Sequence, residues 1–362
     1  MKYSTIAINK LIYKKKYAVL IFCLLVLFFI SCKHNSSKTS EGVKSAVENL
    51  TPEIANLTLQ INSNPKNPEL YKKRAIAYLD LKKLDEALLD INRALSIDSS
   101  RSDYYAVRSD IYFSMGKITN CRSSLEKAIA LSPEDKESLL KLAELHFYLK
   151  EYDNTFKLLD KVASIDKNDA RVWFMRGITY KDMGDTARAI KSLMEAVQID
   201  ENYYDAYLYL GILHAARKNP LAVDFYKNAL NVKPNSPEIL YNLGLFYQET
   251  GNYDKAIQTY TMVTTQDLNP DDSQYLFLKH SFYNLGYVNL QYTHLYRQAI
   301  KYFTYAVSID PMYVEAYYNR GYSYELLGDV INARKDYEKS LQLRPNYELA
   351  IQGLNRLDNI GK

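Results

Sequence analysis

The sequence predicts an all-α protein built as a stack of repeated units. Glycine and proline are sparse, 12 and 10 in 362 residues, too few for an all-β chain with its many turns. The chain also matches itself. "VEAYYNRGYSYELLGDVINARKDYEKSLQLRPNY" (314–347) aligns with "ARVWFMRGITYKDMGDTARAIKSLMEAVQIDENY" (170–203), thirty-four residues each, with large, small and aromatic residues at the same offsets. A period of this length marks an array in which one unit cannot bury its apolar face alone and a stack can. With 47% hydrophobic and 24% charged residues the composition is globular, not disordered.

Two segments precede the array. Residues 1–31 begin with a basic stretch ending in Lys14, Lys15 and Lys16, followed by about fourteen apolar residues from Tyr17 to Ile30. That is the length of a signal-peptide core and short of the roughly twenty residues of a membrane span. Phe29, Ile30 and Ser31 then precede Cys32. The arrangement resembles a bacterial lipoprotein signal, whose cysteine is lipidated and becomes the first residue after cleavage; Phe29 departs from the Leu, Val or Ile preferred there. The resemblance implies a membrane anchor on Cys32. Lys33, where an Asp often retains such proteins in the inner membrane, implies the outer membrane and a protein facing the periplasm. An uncleaved anchor, or an ordinary signal peptide with an incidental Cys32, is the alternative. Residues 32–50 read as the lipidated cysteine and a flexible tether. Cys23 falls in the apolar segment, which leaves Cys121 alone in the remainder, so no intramolecular disulfide is possible there. The formal charge of +4 arises from five lysines within residues 1–31, where no acid stands. The rest of the chain is near neutral and offers nothing for a phosphate backbone, so no nucleic-acid partner is expected.

Residues 51–67 fit half a unit, with Thr51 as N-cap and Pro52 at the first helical position. Eight units follow over 68–347, beginning at Pro68, Ser102, Lys136, Ala170, Tyr204, Pro237, Lys279 and Val314. Their eighth position holds Ala75, Ser109, Ala143, Gly177, Gly211, Gly244, Gly286 and Gly321. Their twentieth holds Ala87, Cys121, Thr155, Ala189, Ala222, Ala256, Ala299 and Ala333. This pattern resembles the tetratricopeptide repeat. It implies a right-handed superhelical solenoid of helix-turn-helix units, in which the small residues let the paired helices cross closely. Tyr71, Tyr105, Trp173, Tyr207, Phe282 and Tyr317 fill the holes between pairs, with Ile91, Leu125, Leu159, Leu193, Tyr226, Tyr260, Phe303 and Tyr337 behind them. Cys121 then fills a core slot as inert packing.

The fifth unit is one residue short and the seventh one longer. A short insert, "DDSQYLFL" at 271–278, precedes the seventh. Asn269 can cap and Pro270 can start a helix, with Asp271 and Asp272 in its first turn, so the insert is expected to lengthen that unit's first helix. Residues 348–362 read as a capping helix, with Ile351, Leu354 and Leu357 inward and Asn355, Arg356, Asp358 and Asn359 outward.

No constellation for catalysis is present. His34 lies in the tether, His146 and His214 at core positions, and His280 and His294 stand alone near the insert, so neither a metal site nor an enzyme is expected. Arg74, Arg108, Arg176 and Arg320 recur at the seventh position, and structural support is the favoured reading over anion binding. No phosphate loop, cofactor or small-molecule substrate is indicated.

What remains is the face of the first helices, which the resemblance makes a concave peptide-binding groove. Its fifth, sixth and ninth positions supply Phe174, Leu208, Tyr241, Asn242, Leu245, Tyr283, Asn284, Tyr287, Tyr318, Asn319 and Tyr322. An exposed row of aromatics with amide donors beside it suits capture of a peptide. With 34 tyrosines in the chain, composition alone is the competing explanation. The chaperone-tail clamp of some relatives is not inherited: Lys72 is paired with Ile76, and Val107 and Glu137 complete the mismatch. The expected function is a non-catalytic adaptor that binds other proteins or peptides, serving envelope assembly, secretion or cell-wall remodelling. The alternative is a glycan-binding lipoprotein on a related scaffold, disfavoured by a single Trp and few insertions.

Overall fold

The computed structural model describes residues 51–269 and 274–360. Cys32, the signal-like segment, the tether, and Pro270, Asp271 and Asp272 of the insert lie outside the described residues. Among those described there are eighteen helices and no strand. Helix α1 (Pro52–Ser63) stands before a series of pairs: α2 (Pro68–Asp80) with α3 (Leu84–Ile97), α4 (Ser102–Ser114) with α5 (Ile118–Leu131), α6 (Lys136–Tyr148) with α7 (Tyr152–Ile165), and α8 (Ala170–Asp182) with α9 (Thr186–Ile199). The pairs continue as α10 (Tyr204–Ala215) with α11 (Leu221–Val232), α12 (Pro237–Glu249) with α13 (Tyr253–Thr264), α14 (Tyr275–Gln291) with α15 (Tyr296–Ile309), and α16 (Val314–Leu326) with α17 (Val330–Leu343). A single helix, α18 (Glu348–Ile360), follows. Contacts divide the chain between Leu59 and Gln60, within α1. In the first unit the Ile54 amide donates to Thr51 Oγ1 at 3.5 Å, the expected cap. The second unit, Gln60–Lys362, is an all-α solenoid of stacked helix pairs.

Local chemistry sets the helix ends. Asn67, Asp135, Asp169 and Ser236 each accept a backbone N–H with the side chain and so satisfy a donor that the first turn leaves orphaned. First helices end in a left-handed residue: Lys82 (φ 59°), Gly116 (φ 70°) and Lys150 (φ 60°) are examples. At the first of these the Lys83 amide donates to Tyr78 O and the Lys82 amide to Leu79 O, both at 2.9 Å, closing the last turn.

Within each pair the eighth position meets the ring or branched chain of the second helix. A Cβ on Gly244 would lie 2.5 Å from Tyr260, and one on Gly286 would lie 2.7 Å from Phe303. Those partners are fully buried, as are Ile91, Leu159, Leu193 and Tyr337. The seventh-position arginines are structural. Arg74 grips Asp90 through Nε (2.6 Å) and a terminal nitrogen (2.8 Å), and Arg320 holds Asp336 the same way (2.7 and 2.8 Å). Arg108 reaches Ser124 Oγ at 3.2 Å, and Arg176 pairs with Asp160 of the preceding unit.

Neighbouring first helices approach one another, α12 with α14 and α14 with α16 among them. The insert lengthens α14 to 17 residues against 12 to 14 elsewhere in the paired helices. That helix begins at Tyr275, with Gln274 at its N-cap, among the described residues; the expected start at Pro270 lies outside them. In α18 Leu357 is buried while Ile351 and Leu354 are half-buried, and Gly353 lies under the Tyr337 ring.

Candidate functional site

The first-helix face carries aromatic residues, but not as a bare exposed row. Tyr241, Tyr283, Tyr287, Tyr318 and Tyr322 are all half-buried. Tyr283 stacks on Tyr287 of its own helix with centroids 6.4 Å apart, and Tyr318 on Tyr322 at 6.3 Å with rings 4° from parallel. Residues four apart lie on one helix face, which is why these pairs meet. Tyr283 also packs on the buried Phe303 (5.7 Å) and on Tyr313 (4.9 Å). Tyr313 reaches His280 edge-on at 6.0 Å, and His280 reaches Tyr241 at 6.1 Å. A continuous ladder of rings therefore runs from α12 through α14 to the N-cap of α16, and Tyr318 and Tyr322 form a separate stack beyond it.

The asparagines are not free to hold a peptide backbone with all their donors. Asn319 Nδ2 donates to Tyr283 Oη at 2.9 Å and Asn284 Nδ2 to Tyr260 Oη at 3.2 Å, and both side chains are buried. Asn242 Nδ2 donates to Glu238 O at 2.8 Å, one turn back on its own helix. The amides instead tie one unit's hydroxyls to the next unit's helix. Leu208 is another departure: it is 5% exposed and packs with Tyr226, Ile239 and Leu243, because the next first helix covers it. Leu245 is half-buried against Tyr260 and Leu285. Phe174 forms a separate cluster with Tyr203 (5.1 Å) and Tyr209 (5.8 Å).

Three tyrosines that sequence reasoning passed over complete the site. Tyr203, Tyr313 and Tyr347 close the fourth, seventh and eighth units, and each packs on the fifth-position ring of its own unit: Phe174, Tyr283 and Tyr318, the last at 5.6 Å. At 203 and 313 the tyrosine occupies the N-cap of the following helix and makes no side-chain cap. A capping hydrogen bond of roughly 0.5 to 2 kcal/mol is forgone for a ring. The recurrent final Tyr was visible in the sequence. Phe277 of the insert also joins, 5.6 Å from Tyr241.

Burial governs the ionisation of the ladder. It lifts the phenols of Tyr241, Tyr283 and Tyr313 above their usual range and brings Tyr347 up to about 12. It also pushes the His280 imidazole down to about 4, with the Lys279 charge adding to the effect. The site is thus a neutral, hydrogen-bond-capable aromatic surface across the physiological range. A separate cavity of about 120 Å³ opens between the second and third units, with Phe113, Cys121 and Leu145 in its wall. Burial raises the Cys121 thiol to about 11, so it carries no thiolate near neutrality. Among the described residues no group of three or more His, Cys, Asp or Glu could hold a metal ion, and no helix is long and apolar enough to cross a membrane.

Comparison with known proteins gives one family. Sequence profiles of the tetratricopeptide repeat match residues 68–101, 102–135, 170–203, 225–258 and 314–347. The match at 225–258 begins inside α11, half a unit out of phase with the others. The chain is 30% identical over 127 residues to the type IV pilus assembly protein PilF of Pseudomonas aeruginosa, covering 34% of this chain and 48% of that one. It is 30% identical over 87 residues to the photosystem I assembly protein Ycf3 of a Synechococcus species, covering 23% and 50%. The chain thus spans about half the length of the curated relatives it matches. A crystal structure of a tetratricopeptide repeat protein from Parabacteroides merdae superposes with a TM-score of 0.50 at 17% identity, over 66% of this chain and 92% of that one.

Proposed function

The chain is built of tetratricopeptide repeats, and from that premise we propose that it is a lipid-anchored adaptor that holds segments of other proteins on its first-helix face. Proteins of this family are protein-interaction scaffolds. The observation that carries the reading is the ring ladder from Tyr241 through His280 and Tyr313 to Tyr283 and Tyr287, for which Tyr313 forgoes a helix cap. Departures from local rules concentrate at functional sites. Rigid, half-buried aromatics offer contact area at low entropic cost, which is what capture of an extended segment requires. The function is binding, not catalysis. The names of PilF and Ycf3 as assembly proteins favour a role in building a larger complex. The signal-like segment ending at Cys32, with Lys33 after it, favours a bacterial envelope as the setting of that role, on the outer membrane and facing the periplasm.

Two experiments test this. A photo-crosslinking side chain at Tyr287 or Tyr322 should capture a discrete partner in cells, whereas one at Leu89 or Ile331, 72% and 83% exposed on second helices, should not. Equal capture from both faces removes the groove. Labelled palmitate should enter the wild type and not Cys32→Ser; equal labelling of the two removes the anchor.

A further inference from the structure

One position sets the junction of the second and third units apart from the two junctions that follow. The sixth residue of a first helix packs toward the preceding pair. In the fourth unit it is Met175, which is buried and joins the cluster of Ala143 and Leu159. In the fifth it is Tyr209, half-buried against the cluster of Ala189 and Leu193. In the third it is Lys141. An ammonium group is costly to bury unpaired in an apolar crossing, and Lys141 instead turns to Asp110, at 2.7 and 2.8 Å. Ser109 and Leu125 hold the places of Ala143 and Leu159, and the room beside them is the cavity of about 120 Å³. It corresponds to the space that a methionine fills one unit further on and a ring fills two units on.

Wall and rim differ in chemistry. Cys121, Leu125 and Leu145 line an apolar interior and are all buried, whereas Asp110, Lys141 and Glu144 bring charge to its edge. Phe113 also lines the cavity and is 48% exposed, so it stands where the room meets solvent. Tyr148, 58% exposed, packs on Phe113 at 6.2 Å and donates to Glu144 Oε1 at 3.0 Å. Both rings belong to first helices, α4 and α6. Among the described residues only four aromatic side chains other than histidine are this open to solvent, and two of them meet at this mouth. An engineered apolar cavity of about 150 Å³ stays dry and takes an apolar guest; a guest here would cover the two rings as well.

We propose that this cavity takes the side chain of a methionine or leucine in a bound polypeptide segment, whose backbone crosses Phe113 and Tyr148. This rests on the peptide-holding function proposed above and adds an anchor on the second and third units to the ring ladder. A flexible thioether chain suits the room because Met175 fills its counterpart. The rim selects a polypeptide over a free hydrocarbon. A carboxylate accepts several hydrogen bonds, so Asp110 and Glu144 keep acceptor capacity beyond the bonds they already make. The backbone N–H groups of an extended segment supply donors for it, and a hydrocarbon supplies none.

The test uses the full chain in lipid nanodiscs and a randomised decapeptide library. Recovered peptides should be enriched for Met or Leu at one position. Replacing that residue by Ala should weaken binding to the wild type about tenfold or more, a measurement that needs no protein variant. With photo-methionine at that position, the peptide should attach to Phe113, Leu125 or Leu145. Lys141→Met supplies from within what Met175 supplies one unit along. It should abolish the enrichment without lowering the melting temperature, whereas damage to the fold would lower it. Peptides recovered without Met or Leu enrichment, or attached to Tyr241 or Tyr287 and held equally by wild type and Lys141→Met, overturn this inference and leave the groove standing. Labelling of the cavity wall by a diazirine-bearing fatty acid in the nanodisc, with no peptide attached there, assigns the room to a lipid chain and also overturns it. Recovery of no peptide above nanodiscs without protein overturns both readings.

Discussion

At Gly244 an added Cβ would stand 2.5 Å from the Tyr260 ring, which is fully buried and held through its hydroxyl to Gln248 at 3.0 Å. The ring cannot withdraw, so Gly244→Ala should cost roughly 1 to 3 kcal/mol in denaturant unfolding; a change within error would mean that the crossing is looser than it stands. The reverse exchange belongs at Lys150, whose φ of 60° lies in the left-handed region. Lys150→Gly should stabilise by up to about 1 kcal/mol, because a side chain is disfavoured there. His280 gives the pH dependence. Burial, with Lys279 beside it, holds the imidazole down to about 4 against the usual 6.5, while Asp310 pulls weakly the other way. The unfolded chain therefore takes up the proton first. Stability is fully present above pH 6.5 and is lost as pH falls from 6.5 toward 4, by up to about 3 kcal/mol. Subtracting the pH profile of His280→Phe isolates this slope from that of the carboxylates. Parallel profiles would show that His280 titrates normally.

Among the elements, α14 and α16 separate packing from recognition. Tyr283 touches Phe303, Tyr313 and Tyr287 and accepts from Asn319, so Tyr283→Ala should lose roughly 3 kcal/mol of stability along with partner capture. Tyr287 and Tyr322 lie one turn further along the same faces. Tyr287→Ala with Tyr322→Ala should weaken capture by about 2 kcal/mol with a smaller loss of melting temperature. If that double variant melts like Tyr283→Ala, these rings too are core. The helix pairs were legible in the sequence because small residues at the eighth and twentieth positions are dictated by helix crossing alone. The lengthening of α14 was legible for a similar reason, since eight extra residues before a first helix have few other places to go. The burial of Leu208 and Asn319 was not legible. A position number says which way a side chain points from its own helix, and not what the next helix lays over it. The ring at Tyr313 escaped for another reason. Its place is a capping position, where local propensity favours Asn, Asp or Ser, and only the neighbouring Tyr283 explains the exchange.

For Gln60–Lys362 as a whole, stability is set by what joins one pair to the next, because each unit of a solenoid touches only its neighbours. Lysines stitch the series: Lys72 to Asp103, Lys136 to Asp166, Lys141 to Asp110 and Lys279 to Asp310, each thirty or thirty-one residues apart. Such partly exposed pairs contribute only about 0 to 1 kcal/mol each, so they define register more than they resist opening. The closeness of backbone contact between pairs is uneven. Such contact is thinnest where α7 meets α8 and most extensive where α15 meets α16, a junction that also carries the Tyr283 to Tyr313 stack and the Asn319 bond. The last pair is closed further by Arg356, which grips Glu325 at 2.7 and 2.9 Å. Opening should therefore begin at the α7 to α8 junction and leave α14 to α17 folded longest. Native-state hydrogen exchange in rising urea should show the amides of α14 to α17 exchanging with the highest opening free energy and those of α2 to α7 with a lower one. A single opening energy along the series, or protection lowest at α14 to α17, would contradict this order. The expected order also has a functional sense: the ring ladder lies on the most tightly joined units, so a bound segment would meet a surface already rigid and lose less of its affinity to ordering the protein.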